Sequence, residues 1–499
     1  MFRFLYIILF ILYSFTASCY WGLKWYVSSY KVGFAEFIFT IMSPMKGTGG
    51  SSLRDGIVSC FPKIGICIFL FAILYFFITP NKFSKKILAR ISSKIPQRQF
   101  FVFTLISMYI VVFLALGMIL YKAYYRMGVD EFVELRKTKT LIYENEYVSP
   151  KSKGILSKVS THRNLIHIVM ESMETSYAST NVGGCLEYNY IPNLTKLALE
   201  NDSFSDKENI GGFCPTAHAG WTMAALLAFH SGIPFSFPIQ GNLMSERKHF
   251  ASGVTTLGDV LKGYGYNQVF LCGSDAEFGG RKSFFEQHGD YEIYDYGVAL
   301  ENDDIPDGYK VWWGFEDEYL YKIAKKKLLD LANHNKPFNL TFLTVDTHHR
   351  DGYICNRCLN KFESKTANVV RCADIQIFEF IDWCKKQDFY ENTTIVITGD
   401  HLRMDKALSN EMISNQKRKL YFTVINSAKE YKRLDERQIS SLDVFPTILS
   451  SLGFDIKNGR LGLGTDLYSD KKTLMEKYGV KEFNNDISKY SDFYMRNFP

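Results

Sequence analysis

Carboxylates and imidazoles recur at one kind of place in this chain, directly after a short apolar run. NLIHIVM leads into Glu171, NQVFLCGS into Asp275, FNLTFLTV into Asp346 and then His348, and TTIVITG into Asp400 and His401. Short apolar runs of this kind read as buried parallel strands. In open α/β sheets, ligands bind just beyond the carboxyl ends of such strands. A buried carboxylate is costly without a partner. A strand-end glutamate plus an adjacent Asp-His pair offers oxygen and nitrogen ligands for one divalent ion. Any one of these acids alone reads as a helix cap or an ion-pair partner. The joint occurrence of Glu171, Asp400 and His401 is what points to a metal.

Metal-assisted group transfer needs a nucleophile. GGFCPTAHAGWTMAALLAFHSGIP places Thr222 where an apolar helix begins. Backbone N–H groups and the helix dipole favour an incoming phosphate there. A cation bonded to the hydroxyl would lower its pKa. The plain alternative is a threonine N-cap. Thr216 is the competing hydroxyl, but no clear apolar helix starts directly after it. Asp275 and Arg281 flank a Gly-Gly turn, and arginine can grip a phosphate bidentately. One of His348 and His349 can protonate a leaving alkoxide or activate an acceptor hydroxyl. The plain alternatives are a surface ion pair for Arg281 and a stacking or hydrogen-bonding role for His349.

Such residues must be held by alternating strands and helices. PNLTKLALE, VTTLGDVLKGYG, EDEYLYKIAKKKLLDLANH, CADIQIFEFIDWCKKQ and SLDVFPTILSSLG carry helical spacing, with strands between them. The expected fold of residues 161–499 is an α/β sheet with helices on both faces. Residues 124–160 are polar, lack a sustained period, and read as a linker with a short helix.

Residues 1–123 differ sharply. At 47% hydrophobic and 16% aromatic, the chain has an apolar excess concentrated at its front. Residues 2–22, 63–80 and 100–122 are long enough, or nearly so, to cross about 30 Å of hydrocarbon. The second is short, and Phe61–Pro62 would extend it. The first has only Arg3 ahead of it and no A-x-A cleavage site, and FTASC carries Thr16 where a lipobox wants leucine. It therefore reads as an uncleaved helix. Segment 33–44 (GFAEFIFTIMSP) is apolar but short, and reads as an interfacial or re-entrant helix. Lys82, Lys85, Lys86, Arg90, Lys94 and Arg98 lie between the second and third runs. The positive-inside rule puts that loop in the cytoplasm and the C-terminal part outside. This accounts for much of the net charge of +6. No finger or RNP-type pattern accompanies it, which argues against nucleic acid.

Of ten cysteines, Cys185, Cys214, Cys272, Cys355, Cys358, Cys372 and Cys384 fall in the outer part. An oxidising compartment allows disulfides there. Cys355-Asn-Arg-Cys358 has no second C-x-x-C to complete a zinc knuckle and reads as a structural disulfide. The odd count leaves at least one thiol free.

These residues and strings resemble the alkaline phosphatase/sulfatase superfamily. The closer resemblance is to its membrane-bound phosphoglycerol transferases, the lipoteichoic acid synthases and, above all, the periplasmic glucan phosphoglycerol transferases. It is carried by NLIHIVMES, AGWTMAALLAFHSGIP, the GSDAEFGG turn, LTVDTHHRDG, CADIQIFEFI, the GDH triplet, SLDVFPTILSSLG and RLGLGTDL. The resemblance implies N-terminal transmembrane helices and an extracytoplasmic domain with a mixed sheet. It also implies a bacterial inner-membrane protein with several spans and a catalytic domain in the periplasm or outside the cell. Glu171, Thr222, Asp400 and His401 would bind one divalent ion, usually Mn2+, with Zn2+ or Mg2+ also admissible. Thr222 would be the nucleophile, and Arg281 and His348 would hold the glycerophosphate group. Asp275 falls in a turn spaced differently from the teichoic acid branch, which carries a tryptophan near the arginine where this chain reads Phe278-Gly279-Gly280. The implied donor is phosphatidylglycerol and the implied acceptor a glycan. A phosphoethanolamine transferase acting on lipid A or a surface glycan shares the metal logic but matches fewer strings. CPTAH lacks the C-x-P-x-R pattern of a sulfatase nucleophile, so Cys214 has no such role.

Overall fold

Parallel strands of matched register give this protein its frame, in a computed structural model that describes residues 2–29, 33–35, 37–38, 51–91, 96–158, 163–204, 209–236, 250–405, 407–409, 411–413, 417–431 and 437–499. The six strands of the central sheet are β1 (Asn164–Met170), β2 (Asn267–Cys272), β3 (Glu292–Tyr294), β4 (Phe338–Leu343), β5 (Thr393–Gly399) and β6 (Phe422–Ile425). Their spatial order is β3-β2-β4-β1-β5-β6. All neighbours are parallel except β6, which runs antiparallel to β5. The sheet is therefore mixed, as expected. β1, β4 and β5 are buried along their whole length, which is why they read as unbroken apolar runs.

The register explains why the strand ends converge. Met170 lies opposite Gly399, Val169 opposite Leu343, and Cys272 opposite Leu343. The four strands that end at chemically active residues are neighbours, and they end nearly level. Residue alternation splits their side chains between two layers. Ile166, Ile168 and Met170 pack with Leu340, Phe342, Ile395 and Ile397 against helices that include Asp317–Ala332 and Lys365–Cys384. On the other face His167 stacks on His230 of helix Thr222–Ser231, and Phe270 stacks on Phe285 of helix Arg281–Gln287 at 4.0 Å.

The three N-terminal helices form a unit of their own. They are α1 (Phe2–Ser29), α2 (Ser51–Ile78) and α3 (Gln97–Arg126), each long and apolar enough to cross a membrane. Helix α2 starts well before the apolar run at 63–80 and carries Pro62 inside it. Tyr6 Oη donates to the Phe101 carbonyl and Tyr109 Oη to the Leu5 carbonyl, so these buried hydroxyls are satisfied between helices. Phe4, Phe61, Phe69, Phe103 and Phe113 face outward, an apolar surface suited to lipid rather than water. Of segment 33–44, residues 36 and 39–44 lie outside the described residues. Residues 134–158 belong with the C-terminal unit. Within them Leu156–Lys158 pairs antiparallel with Phe454–Ile456, and Tyr143 is buried.

Candidate active site

Glu171 and Asp400 are the first residues past β1 and β5, and both are almost fully buried. Asp400 Oδ1 accepts the backbone N–H groups of Ser172 (2.7 Å) and His401 (2.8 Å). Its Oδ2 accepts no hydrogen bond. Ser172 donates its hydroxyl to Glu171 Oε1 at 2.7 Å from a left-handed backbone conformation, φ 50°. That conformation is costly for a residue with a Cβ, and such strain collects at working sites. His401 Nδ1 lies 3.0 Å from the Leu402 carbonyl, which can only accept, so Nδ1 carries the proton and Nε2 the lone pair. Nε2 faces Asp400 Oδ2 at 3.3 Å and Glu171 Oε1 at 3.4 Å.

Thr222 completes this arrangement. It is the first residue of α4 (Thr222–Ser231), and Trp221, not Thr222, takes the cap position. The remainder of α4 is buried while Thr222 is partly exposed. Its hydroxyl lies 3.4 Å from Glu171 Oε2 and 3.5 Å from His401 Nε2. Thr216, the competing hydroxyl, is buried elsewhere, donating to the Cys214 carbonyl and accepting the Ser441 N–H.

These residues fit a divalent cation. Glu171, Asp400 and His401 present ligand atoms within 4.8 Å of one another. Two carboxylates and an imidazole lone pair turned on one point repel each other unless positive charge stands among them. Burial, and after it the Glu171 carboxylate, pushes Asp400 up to about 7. A nitrogen, carboxylate oxygens and a hydroxyl suit Mn2+, Mg2+ or Zn2+ better than a soft ion.

A second ring of groups stands beside this one. His348 and His349 stack at 4.1 Å and group with Glu171. Burial holds both imidazoles below their ordinary pKa. Arg281 opens α5 (Arg281–Gln287) and is buried, with Nη2 on Ser274 Oγ (3.0 Å) and the Asp275 carbonyl (2.8 Å), and Nε on the Phe278 carbonyl (3.0 Å). Asp275 caps this turn, accepting the Glu277 N–H at 2.9 Å. Asp346 is buried behind His348, its backbone N–H on Asp317.

Three contributors were not legible in the sequence. Trp313 packs against His348 with ring centroids 4.6 Å apart and against Phe278 at 5.5 Å, both tilted, bridging the histidine loop and the arginine turn. Its only signal is an aromatic pair, Trp312-Trp313, in an otherwise polar stretch. Ser172 looks like any serine after a strand. Arg403 pairs bidentately with Asp405 (2.7 and 2.8 Å) and donates to the Thr347 carbonyl (2.6 Å), tying the GDH loop to the histidine loop.

The fold is that of the alkaline phosphatase/sulfatase superfamily. Residues 163–454 match the sulfatase family, and the chain belongs to it. It is 30% identical over 325 residues to phosphoglycerol transferase I of Escherichia coli, covering 64% of this chain and 41% of that protein. The protein of the same name from Citrobacter koseri is 31% identical over 307 residues, 60% of this chain and 38% of that one. The chain thus spans about two fifths of the length of these relatives. The lipoteichoic acid synthase LtaP from Listeria monocytogenes shares the fold with a TM-score of 0.52 at 17% identity, covering 69% of this chain and 97% of that one.

Proposed function

We propose that this chain moves a phosphoglycerol group from phosphatidylglycerol to an extracytoplasmic glycan, with Thr222 carrying the group in between. The observation behind this reading is the Thr222 hydroxyl, partly exposed at the start of a buried helix and 3.4 Å from Glu171. Similarity to proteins named phosphoglycerol transferase I supports the identity of the group. Glu171, Asp400, His401 and the Thr222 hydroxyl would hold one divalent cation, with manganese the proposed ion. When bound, it supplies positive charge that acidifies the hydroxyl and neutralises phosphoryl oxygens.

The chain's own groups account for the remaining chemistry. Thr222 Oγ1 attacks phosphorus, the P–O bond to diacylglycerol breaks, and the threonine proton ends on diacylglycerol. An acceptor hydroxyl then attacks the same phosphorus. The bond to Thr222 breaks, and the acceptor's proton returns to the threonine. His348 suits both proton movements. Its Nδ1–H is donated to the His349 carbonyl at 2.6 Å, leaving Nε2 as an acceptor on a neutral ring. Arg281, braced through Nε and Nη2, would offer Nη1 to a phosphoryl oxygen, and the Trp313 ring would wall the glycerol side. Asp275 and His349 shape this pocket. The proposed location is the bacterial inner membrane, with residues 161–499 as the catalytic domain in the periplasm or outside the cell.

The test is the full chain in lipid nanodiscs, given phosphatidylglycerol labelled in its head-group glycerol and a panel of glycans. Label should pass to glycan, and Thr222→Ala should slow this at least about 10³-fold without lowering Tm. Transfer from labelled phosphatidylethanolamine instead would assign a phosphoethanolamine transferase. Release to water regardless of glycan would assign a hydrolase. Normal turnover by Thr222→Ala would remove the threonine from the chemistry.

A further inference from the structure

The long connection between β4 (Phe338–Leu343) and the helix Lys365–Cys384 contains neither strand nor helix, yet it carries His348 and His349. A connection of this length inside a compact domain needs something to fix it. Two cysteines of this loop, Cys355 and Cys358, meet a third, Cys372, two turns into the following helix. Cys355 Sγ lies 3.7 Å from Cys358 Sγ and 3.7 Å from Cys372 Sγ. All three sulfurs fall within 4.8 Å of one another.

We propose that Cys355, Cys358 and Cys372 bind a structural cation of the soft divalent class, zinc above all, which clips the histidine loop to the helix behind it.

The geometry carries this. Metal–sulfur bonds of about 2.3 Å at tetrahedral angles give sulfur–sulfur edges of about 3.8 Å, close to both measured separations. A disulfide instead brings two sulfurs to about 2.05 Å and strands the third thiol, whereas a cation uses all three. The loop turns tightly at the pair, with the Cys358 N–H on the Cys355 carbonyl at 3.1 Å.

The surroundings agree. Gln376 sits one turn after Cys372, almost fully buried, with Nε2 3.5 Å from Cys372 Sγ and 4.0 Å from Cys355 Sγ. Donors to ligating sulfur are the usual support of such a site. The Gln376 Oε1 is buried without a hydrogen-bond partner. A water would supply the fourth corner and could donate to that oxygen. The sequence reading of Cys355 and Cys358 as a disulfide rested on the lack of a second C-x-x-C. Cys372 lay hidden as one position in a helical repeat.

The full chain, purified in detergent without reductant, is denatured in chelator and alkylating agent, and its peptides are mapped. All of Cys355, Cys358 and Cys372 should be alkylated. Protein loaded with Co2+ should show a thiolate-to-cobalt charge-transfer band in the near ultraviolet. Cys358→Ser should lose most of that band. Asp400→Asn should keep it, since the other candidate centre contains no sulfur. A disulfide between any two of the three overturns the proposal, and so do three free thiols with no cobalt band. The alkylation and cobalt measurements on the unaltered chain decide the matter even if Cys358→Ser fails to fold.

Discussion

At the scale of single residues, the centre works by crowding charge that the fold does not neutralise. Asp400 spends Oδ1 on two backbone N–H groups and leaves Oδ2 without a donor, facing the His401 lone pair. On the proposed reading a divalent cation offsets this crowding, so stripping divalent ions from the full chain should suppress activity by at least about 10²-fold. Mn2+ should restore it, and undiminished turnover with metal content measured as nil would rule the metal out. Trp313 makes a different prediction. Its ring packs against His348 and Phe278, which suits the proposed role of a binding wall. Trp313→Ala should raise KM for the lipid donor about tenfold and change kcat less. An unchanged KM would remove it from the pocket. Glu171, Thr222, Asp400 and His401 could be nominated from sequence because each sits at the end or start of an apolar run. Trp313, Ser172 and Arg403 could not, because contacts between loops distant in sequence place them.

At the scale of elements, the site depends on how its loops are pinned to level strand ends. Arg403 is the chief pin, gripping Asp405 and holding the Thr347 carbonyl next to His348. Asp405→Asn would leave a buried guanidinium with half a partner, costing about 3–5 kcal/mol and loosening the histidine loop. Burial opposes ionisation of Asp405, but the Arg403 guanidinium outweighs it and holds the carboxyl below the usual range. A depressed folded-state pKa means stability present above the unfolded pKa, about 3.9, and lost as pH falls through the folded value. The gap in Tm between the native chain and Asp405→Asn should therefore be wide at pH 7 and narrow below about pH 4. A gap independent of pH would show that the pair is not the source. The strands themselves were legible because burial on both faces leaves continuous apolar runs. The start of α2 was not. Its first turns carry Arg54, Asp55 and Pro62, which signal a boundary in water, yet the helix runs through them. A helix among apolar neighbours can absorb the missing N–H of a proline.

At the scale of the whole molecule, one asymmetry of charge is expected to set the orientation on which the proposed chemistry rests. Among the described residues three helices are long and apolar enough to cross a membrane, and their composition alone does not set the direction. Lys82, Lys85, Lys86, Arg90 and Lys94 lie between α2 and α3, and Arg98 lies in the first turn of α3. Moving such a cluster across a membrane is strongly disfavoured. The loop should stay in the cytoplasm, and residues from Glu134 onward should face outside. A glycan acceptor beyond the membrane is reachable only in that orientation. Reporter fusions test this directly. An alkaline phosphatase reporter joined after Pro499 should be active, and a fluorescent protein that matures only in the cytoplasm should be dark there. The same two reporters joined after Lys94 should give the opposite pattern. Replacing all six basic residues with glutamine should weaken the asymmetry and yield a mixed population. A fluorescent fusion at Pro499 in the native chain would place the catalytic domain in the cytosol, away from any extracytoplasmic glycan, and the proposed acceptor would fall with it.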